Sequence, residues 1–282
     1  MKFTAKPVKT QYWPPGDDYI GIIVGVTKQI LKDNDIVVVS EKALSTAMGN
    51  LIDEAQVKPG KLASFIARFW MRCVWGYFLG RICRLRPETV RRLQSYPLKE
   101  GSAHKQVALT YAGIIQALRH GSEGGIDVTN VPYAFACLPL HDPNSVANRI
   151  REAIKASSGK NVTVVISDTD MTYSFGNLHI TPRPHPIAGI TSLNFLAYIM
   201  GRFLKWKPRA TPLAVVGSNL SVEEALDVAE LAHHARRFGA GKTAWDMAEK
   251  FGVNLTGVSW SMLEGINHYP IVIIRRRVVR HS

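Results

Sequence analysis

The chain has 282 residues, of which 46% are hydrophobic and 20% are charged. This composition excludes an intrinsically disordered chain, which would combine few apolar residues with many charges. The formal net charge of +13 favours anionic partners, whether nucleotide phosphates, nucleic acid or a membrane surface, without choosing among them. Cys73, Cys83 and Cys137 lack metal-ligand spacing, so we expect no disulfide framework and a reducing, cytoplasmic setting.

Near the N-terminus, the hydrophobic pattern predicts a helix followed by a strand. Residues 20–39 combine an amphipathic pattern, a polar turn and four apolar β-branched residues in a row, which predicts a helix, a turn and a buried strand. Residues 40–48 then predict a loop or the start of a helix. Further along, residues 103–120 contain a nearly continuous apolar run before a Gly-rich turn, and we predict one or two strands there.

Residues 62–82 are membrane-like in composition but contain Arg68, Arg72 and Arg81. Each arginine would cost roughly 2.5 kcal/mol or more at the centre of a bilayer. We therefore expect no membrane span and predict a buried or dimer-facing helix, with docking on a membrane surface as the alternative. The N-terminal residues also lack the continuous apolar stretch of a secretory signal.

The second half of the chain alternates helical and strand patterns. Residues 144–157 predict a helix capped by Asn144 or Ser145, and residues 161–170 predict a buried strand that ends in polar residues. The later elements are a helix at 193–204, a strand at 212–216, a helix at 221–238 with Ser221 as its N-cap, and a strand within 269–274 that a basic tail follows. The proline-rich residues 181–189 and 205–212 predict loops.

Two short acidic motifs are the strongest chemical signals. Residues 124–130 read Gly-Gly-Ile-Asp-Val-Thr-Asn, and residues 166–170 read Ile-Ser-Asp-Thr-Asp. Each places a carboxylate at a Gly-rich turn or a strand end beside hydroxyl or amide groups, which are ligands suited to Mg²⁺ or Mn²⁺. Taken alone, an aspartate in a glycine turn is more often a turn former.

The order and spacing of these motifs resemble the coenzyme F-420 gamma-glutamyl ligase family. That family shows Gly-Ile-Asp with an asparagine three positions on, then Leu-Pro-x-x-Asp-Pro-x-x-Ser opening a helix, then a strand ending in Asp-Thr. In this chain GIDVTN, LPLHDPNSVANRIR and VVISDT follow in that order, and GDDYIGIIV and DIVVVSEKALSTAMG resemble the opening of the family. The resemblance covers residues 5–55 and 103–195.

The resemblance implies a mixed α/β fold, of α+β character, with mixed sheets and flanking helices. It implies one ligase-like unit over residues 1–282, with a nucleotide- and metal-binding part at 1–180 and a diverged part at 181–282. It also implies an intertwined homodimer.

The activity that the resemblance implies is GTP-dependent joining of L-glutamate to a deazaflavin-type acid through an acyl phosphate, with Mg²⁺ or Mn²⁺ and a monovalent cation as cofactors. The implied metal ligands are Asp127, Asp168 and Thr169, with Asp170 as an additional candidate. The implied nucleotide-binding residues are Asn130, Ser40, Glu41, Lys42 and Thr46.

Three departures from the family pattern bear on the reaction. The family reads Ser-Lys-Ala-Glu-Gly where this chain has Thr46 and Met48, so a lysine and an acid are missing. An arginine expected after Asp-Thr is absent, and a late acidic ligand would fall near residues 238–240, where there is no carboxylate. Asp170, Asp246 or Glu249 could fill that place, and Lys42 could substitute for the lysine.

Other functional classes stay open at this point. A diverged homologue that binds a nucleotide or cofactor without turnover fits the missing residues, and a basic nucleic-acid-binding protein fits the net charge and the basic residues 275–282. Gly241-Lys242-Thr243 is not a Walker loop, because its first glycine would fall on Arg236, and we expect a solvated basic helix end. Tyr12 and Trp13 could stack on a planar ligand or simply pack locally.

Overall fold

A computed structural model describes residues 2–236 and 239–277. The strands are β1 (Lys2–Thr10), β2 (Ile36–Ser40), β3 (Leu51–Asp53), β4 (Phe135–Cys137), β5 (Thr163–Phe175), β6 (Leu178–Thr181), β7 (Thr191–Ser192), β8 (Lys207–Val216) and β9 (His268–Arg277). The helices are α1 (Tyr19–Thr27), α2 (Glu41–Ala47), α3 (Lys61–Phe65), α4 (Gly80–Ile82), α5 (Pro87–Gln94), α6 (Leu98–Tyr111), α7 (Ile114–Ala117), α8 (Pro143–Ser158), α9 (Asn194–Phe203), α10 (Val222–Arg236), α11 (Ala244–Phe251) and α12 (Trp260–Glu264). A 3₁₀ turn covers Glu54–Gln56, and a π-helix, Ile66–Leu79, joins α3 to α4.

A mixed sheet forms the centre of the molecule, with the order β1-β9-β2-β5-β6-β7 and with β8 pairing β5 on its other edge. Strands β2 and β5 are parallel, whereas β9 is antiparallel to both β1 and β2. The strands of the first 180 residues therefore share one sheet with strands from later in the chain. The prediction of a mixed α/β fold is confirmed, while the subdomain division at residue 180 stays a prediction.

Strand β2 is buried on both faces, which explains its unbroken apolar sequence. Val37 and Val39 pack with α1 and α8 in one core, whereas Ile36 and Val38 pack with α10 in another. The sheet therefore lies between two helical layers.

A helical lobe, residues 54–120, has a core of its own. It contains α3, the π-helix and α4 to α7, and it packs around Met71, Trp75 and Val107. The lobe leads directly into the Gly-rich turn before Asp127. No helix within the described ranges is long and apolar enough to cross a membrane.

Most of the predicted elements are present. The helix and strand within residues 20–39, the helices at 62–82 and 193–204, and the strand at 269–274 are confirmed. Ser221 caps α10 through its hydroxyl, which accepts from Glu224 N at 3.2 Å. The predicted end of this helix at Phe238 lies outside the described residues, as does the basic tail beyond Arg277.

Three predictions about local structure were wrong. Residues 103–120 form α6 and α7 instead of strands, because a helix buried on most sides carries the same apolar run as a buried strand. Strand β8 includes much of the proline-rich segment 205–212, which is tolerated because β8 is an edge strand that, among the described strands, pairs with β5 alone. The N-cap of α8 is Asp142, not Asn144 or Ser145: its carboxylate accepts from Ser145 N at 3.0 Å.

Candidate active site

The candidate site lies where the parallel strands β2 and β5 stop pairing. Ser40 is the last residue of β2 and pairs with Ser167, so Glu41 and Asp168 leave the paired region side by side. This corrects one expectation, because β5 does not end at Asp168. It continues to Phe175, with an irregularity in its pairing to β8 between Asp168 and Met171. Irregularities of this kind commonly redirect side chains next to active sites.

Asp127 is held from two directions. Its backbone forms a bridge with Cys137, with N–H···O distances of 3.0 and 2.8 Å, which fixes the end of the Gly-rich turn. Its Oδ1 accepts from the backbone N and the hydroxyl of Thr129, both at 2.7 Å. Its Oδ2 lies 2.5 Å from Nζ of Lys42, at the start of α2.

Arg183 is the central cation beneath the site, and only 3% of its surface is exposed. Its guanidinium forms an ion pair with Glu41 and donates to the carbonyl of Gly124. Its Nε lies 3.0 Å from Oδ2 of Asp168, although the geometry of that contact is not that of a hydrogen bond. Arg183 thus ties together α2, the Gly-rich turn and β5.

The contact with Arg183 explains the glycine at position 125. Gly125 has a φ of +97°, and a Cβ there would lie 1.8 Å from a terminal guanidinium nitrogen of Arg183. A larger residue would therefore be strained in its backbone and would also push Arg183 away from the turn.

The charges at the site are unequally compensated. Burial would raise the pKa of Asp127, but Lys42 and the Thr129 hydrogen bonds hold it below its ordinary value. The pKa of Asp168 is raised by burial, which Arg183 only partly offsets, and by the neighbouring carboxylates. Burial likewise raises the pKa of Glu41 to about 7. Of these three carboxylates, only Asp168 has an oxygen, Oδ2, that is buried without a hydrogen bond.

A cavity of about 250 Å³ opens beside these residues. The predicted site residues that line it are Ser40, Lys42, Thr46, Asn130 and Thr169. Asn130 also shapes its wall: its side chain accepts from Ala240 N at 2.7 Å and donates to Gly241 O at 3.3 Å. The cavity is thus formed jointly by α2, the Asp127 turn and a loop that follows α10.

Asp127 and Asp168 are the side chains that could bind the implied divalent metal. Within residues 2–236 and 239–277, no three His, Cys, Asp or Glu side chains are placed to hold a metal together. Oδ2 of Asp168, however, is buried without a hydrogen bond, and Asp127 offers a second carboxylate. Because Mg²⁺ is commonly bound by one or two carboxylates plus phosphate oxygens and water, these residues fit a metal that a bound nucleotide helps to hold.

The other candidate residues lie apart from the cavity. Glu41 is buried beneath it and accepts from Leu140 N at 2.8 Å as well as binding Arg183. Asp170 forms a two-bond ion pair with Arg119, at 3.0 and 3.1 Å. Asp246 pairs with Arg92 at 2.8 Å. Asp170 and Asp246 therefore already have arginine partners, and their suggested metal role stays a prediction.

Sequence reasoning missed Arg183 and Arg236, which both lie close to the site. Arg183 belongs to a proline-rich segment that predicted only a loop, and Arg236 belongs to the last turn of α10. Tyr12 and Trp13, the candidates for stacking on a planar ligand, line the cavity but are only 5% and 1% exposed. Both pack against His268, at ring distances of 5.3 and 5.7 Å. The sequence around these residues does not indicate that their side chains are buried.

A second cavity, of about 810 Å³, lies between the helical lobe and residues 244–256. Tyr96, Phe135 and Trp245 supply aromatic surface to it, and Val128 contributes the wall nearest Asp127. His104 lies at its floor, between Glu54 and Glu123. The segment 127–130 therefore borders both cavities.

Comparisons with known proteins agree with this arrangement of motifs. The sequence model of the family described as F420-0:Gamma-glutamyl ligase matches residues 7–216. An uncharacterized protein of Methanocaldococcus jannaschii is 34% identical over 284 residues, which are 96% of this chain and 96% of that protein.

Two ligases are more distantly similar. The coenzyme F420:L-glutamate ligase of Methanothermobacter thermautotrophicus is 27% identical over 160 residues, 55% of this chain and 56% of that protein. The enzyme of the same name from Methanococcus maripaludis is 29% identical over 147 residues, 51% of each chain. The matches to these ligases thus span about half of either chain. On the family match and the full-length similarity together, the chain belongs to the F420-0:gamma-glutamyl ligase family.

Proposed function

We propose that this protein is a GTP- and metal-dependent amide ligase that joins L-glutamate, by a γ-linkage, to a deazaflavin precursor of coenzyme F-420 or to a related acid. The observation that carries the proposal is the convergence of five residues, from Ser40 to Thr169, on one cavity beside Asp127 and Asp168. These residues come from three separate segments of the chain. Membership of the ligase family supports the same reading.

The proposed reaction has two steps. A carboxylate oxygen of the acceptor attacks the γ-phosphorus of GTP and releases GDP, which gives an acyl phosphate. The amine of glutamate then attacks the acyl carbon, loses a proton and expels phosphate, which leaves an amide. Asp127 and Asp168 would hold Mg²⁺ or Mn²⁺, which neutralises phosphate charge when bound.

The chain's own residues would position the reactants. Lys42 already bonds the hydroxyl and carbonyl of Thr129, at 2.7 and 3.1 Å, so its ammonium group is fixed at the cavity wall. Burial would lower the pKa of Lys42, but Asp127 raises it above the ordinary value, so the side chain stays charged. A charged lysine at this position would stabilise phosphate oxygens and substitute for the lysine that the family has at position 46.

The second cavity is the proposed acceptor site. Its volume of about 810 Å³ suits a large ligand, and Tyr96, Phe135 and Trp245 suit a planar one. Because segment 127–130 borders both cavities, an acceptor bound there could extend a carboxylate toward the nucleotide. Trp245→Ala should raise the KM for the acceptor several-fold and leave GTP binding unchanged.

A homodimer is also part of the proposal. Phe65, Phe69 and Phe78 lie in the continuous helical segment that includes the π-helix, and they are 55%, 48% and 66% exposed. Exposed aromatic side chains at this density are typical of a surface that another chain covers. Light scattering should give twice the chain mass for the wild type. The double variant Phe65→Glu, Phe78→Glu should have a measured mass closer to that of a single chain.

The first test is calorimetric titration of GTP with Mn²⁺. Binding should be measurable for the wild type and should weaken by roughly tenfold or more, about 1.4 kcal/mol, in Asp127→Asn and Asp168→Asn. Asp33→Asn removes a half-exposed carboxylate elsewhere and should bind like the wild type. Equal binding by all four proteins would contradict the proposed site.

Turnover then separates the alternatives. A ligase must convert GTP to GDP only when glutamate and an acceptor are both present, and mass spectrometry must detect the glutamylated product. Nucleotide binding without hydrolysis would indicate a non-catalytic homologue. Binding to nucleic acid that weakens steeply with salt, and that is indifferent to Asp127, would instead support a basic nucleic-acid-binding protein.

A further inference from the structure

The first cavity has an unusual charge balance. Lys42, Arg236 and Lys242 contribute to its lining, as do His233 and His268. Lys42 is paired with Asp127, but no aspartate or glutamate is itself among the lining residues that the structure describes. Burial lowers the pKa of His268 to about 4, so this ring is neutral at neutral pH. A cavity lined by cations and neutral polar groups attracts an anion.

Arg236 is the buried cation of this lining. Only 8% of its surface is exposed. The Asp168 carboxylate is near enough to favour its charge, but no ion pair of Arg236 with a carboxylate forms among the residues that the structure describes. One terminal nitrogen donates to Ser167 Oγ at 3.1 Å, and Nε has no hydrogen-bond partner. Buried guanidinium groups are normally paired with a directly bonded anion, and Arg236 has no such bond.

Trp13 provides a second unsatisfied donor on the same cavity. Its side chain is 1% exposed, and its indole Nε1 is buried without a hydrogen-bond partner. The two unsatisfied atoms on the lining, Nε1 of Trp13 and Nε of Arg236, are therefore both donors. A ligand that satisfies both must present oxygen acceptors.

We propose that Arg236 and Trp13 bind the phosphate groups of the ligand in this cavity, with the Arg236 guanidinium as the principal phosphate contact. A phosphate group offers only acceptors, carries the missing negative charge and matches the fork of an arginine. Identification of that phosphate with GTP rests on the proposed function, but phosphate binding itself does not. Arg236 lies beyond residues 7–216, so the family match does not assign it.

The position of Arg236 gives it a defined task. It approaches β5 from α10 and contacts Ser167, the residue before Asp168. Arg236 therefore brings a cation to the place where β2 and β5 stop pairing. The bond to Ser167 makes Arg236 a pre-oriented donor and reduces the side-chain entropy lost on binding.

The test uses inorganic pyrophosphate as the probe and the full chain in metal-free buffer with EDTA. Calorimetry should detect binding to the wild type, a loss of roughly tenfold or more in Arg236→Met, and a smaller loss in Trp13→Phe, which removes the indole donor together with part of the ring volume. Arg276→Gln is the matched control. It removes one positive charge from an exposed pair with Glu224 and should change the affinity by less than about twofold.

Thermal unfolding without ligand distinguishes a ligand-binding arginine from a structural one. Because the Arg236 charge lacks a carboxylate partner, Arg236→Met should melt at the wild-type temperature or above, and pyrophosphate should no longer raise its Tm. If this variant does not fold, Arg236→Gln carries the same comparison. Equal pyrophosphate affinity in the wild type and the Arg236 variant, or no binding to the wild type, would overturn the inference. Pyrophosphate binding through Arg236 without any amide ligation would leave it standing while the proposed function fails.

Discussion

Buried charges are arranged differently in the helical lobe and at the cavity. In the lobe, His104 lies between two carboxylates, with Nδ1 2.6 Å from Glu54 and Nε2 3.0 Å from Glu123. Lys105, with none of its side chain exposed, forms an ion pair with the same Glu123. Burial would lower the pKa of His104, but Glu54 and Glu123 raise it to about 10, so positive and negative groups alternate in this network.

At the cavity, by contrast, Oδ2 of Asp168, Nε of Arg236 and Nε1 of Trp13 are buried without hydrogen-bond partners. A buried polar group left unpaired costs about 1–3 kcal/mol, and more if it is charged. The lobe therefore uses its charges for stability, whereas the cavity retains charges that a ligand can satisfy. Mutations should separate these two roles.

The largest expected effect comes from breaking the lobe network. Glu123→Gln leaves Lys105 and His104 buried without their shared carboxylate and should lower the free energy of unfolding by about 3–5 kcal/mol. Urea denaturation followed by circular dichroism measures the change. Glu152→Gln removes a carboxylate whose side chain is 56% exposed and should stay within about 0.5 kcal/mol of the wild type. Similar losses of unfolding free energy in both variants would mean that the buried network stabilises the lobe no more than an exposed ion pair does.

The Gly-rich turn connects the lobe to the site, and its glycine sharpens the comparison. Gly125→Ala should destabilise the protein by about 2–3 kcal/mol, because it combines a strained φ with a clash against Arg183. Gly25→Ala is the matched control: it lies in α1 with open space around its Cβ position and should stabilise the helix by roughly 0.5–1 kcal/mol. The same denaturation experiment compares the two, and a stable Gly125→Ala variant would contradict the tight packing of Arg183.

Within the site, the two aspartates should respond oppositely in metal-free buffer at pH 7. Asp127→Asn weakens charged hydrogen bonds to Lys42 and Thr129 and should lose about 1.5–3 kcal/mol. Asp168→Asn removes a carboxylate whose pKa is raised by burial, so its stability should be unchanged or higher by up to about 1 kcal/mol. Differential scanning calorimetry in EDTA tests this contrast. A larger loss for Asp168→Asn would assign that carboxylate to stability instead of ligand binding.

The stability of the lobe should also depend on pH through His104. The pKa of His104 is about 10 in the folded chain and near 6.5 when unfolded, so its contribution is fully present below pH 6.5 and is lost as the pH rises toward 10. The wild type should lose at least about 1.4 kcal/mol over this range, the value of one pKa unit. His104→Gln should be less stable at pH 6 and show a shallower decline. Parallel pH profiles for the two proteins would contradict a charged His104.

The elements that could be predicted from the sequence are those with a clear local signal, either an unbroken apolar run or a helix cap. Strand β2 was recognisable because both of its faces are buried, and α10 because Ser221 and Glu224 form a capping pair. The convergence of Ser40, Lys42 and Asn130 followed from resemblance to a family, since no local pattern brings residues from different segments to one cavity.

The residues that sequence reasoning missed depend on tertiary contacts. Arg183 lies between Pro182 and Pro184, where only a loop could be predicted, and the partners that bury it come from α2, β5 and the Gly-rich turn. Arg236 occupies the last turn of a helix, where a basic residue normally faces solvent and complements the helix dipole. Its burial results from packing against β5, which no periodicity within α10 could indicate.

The order of strands in the central sheet has a consequence for biosynthesis. Strand β9 lies between β1 and β2, and Ile36 pairs with Ile274, so the middle of the sheet needs a segment that is translated long after its neighbours. Until residues 268–277 leave the ribosome, β1 and β2 have no strand to join them and their inner edges stay exposed. The nascent chain therefore cannot complete this sheet before residues 268–277 have been synthesised. The part of the cavity wall that His268 contributes must form equally late.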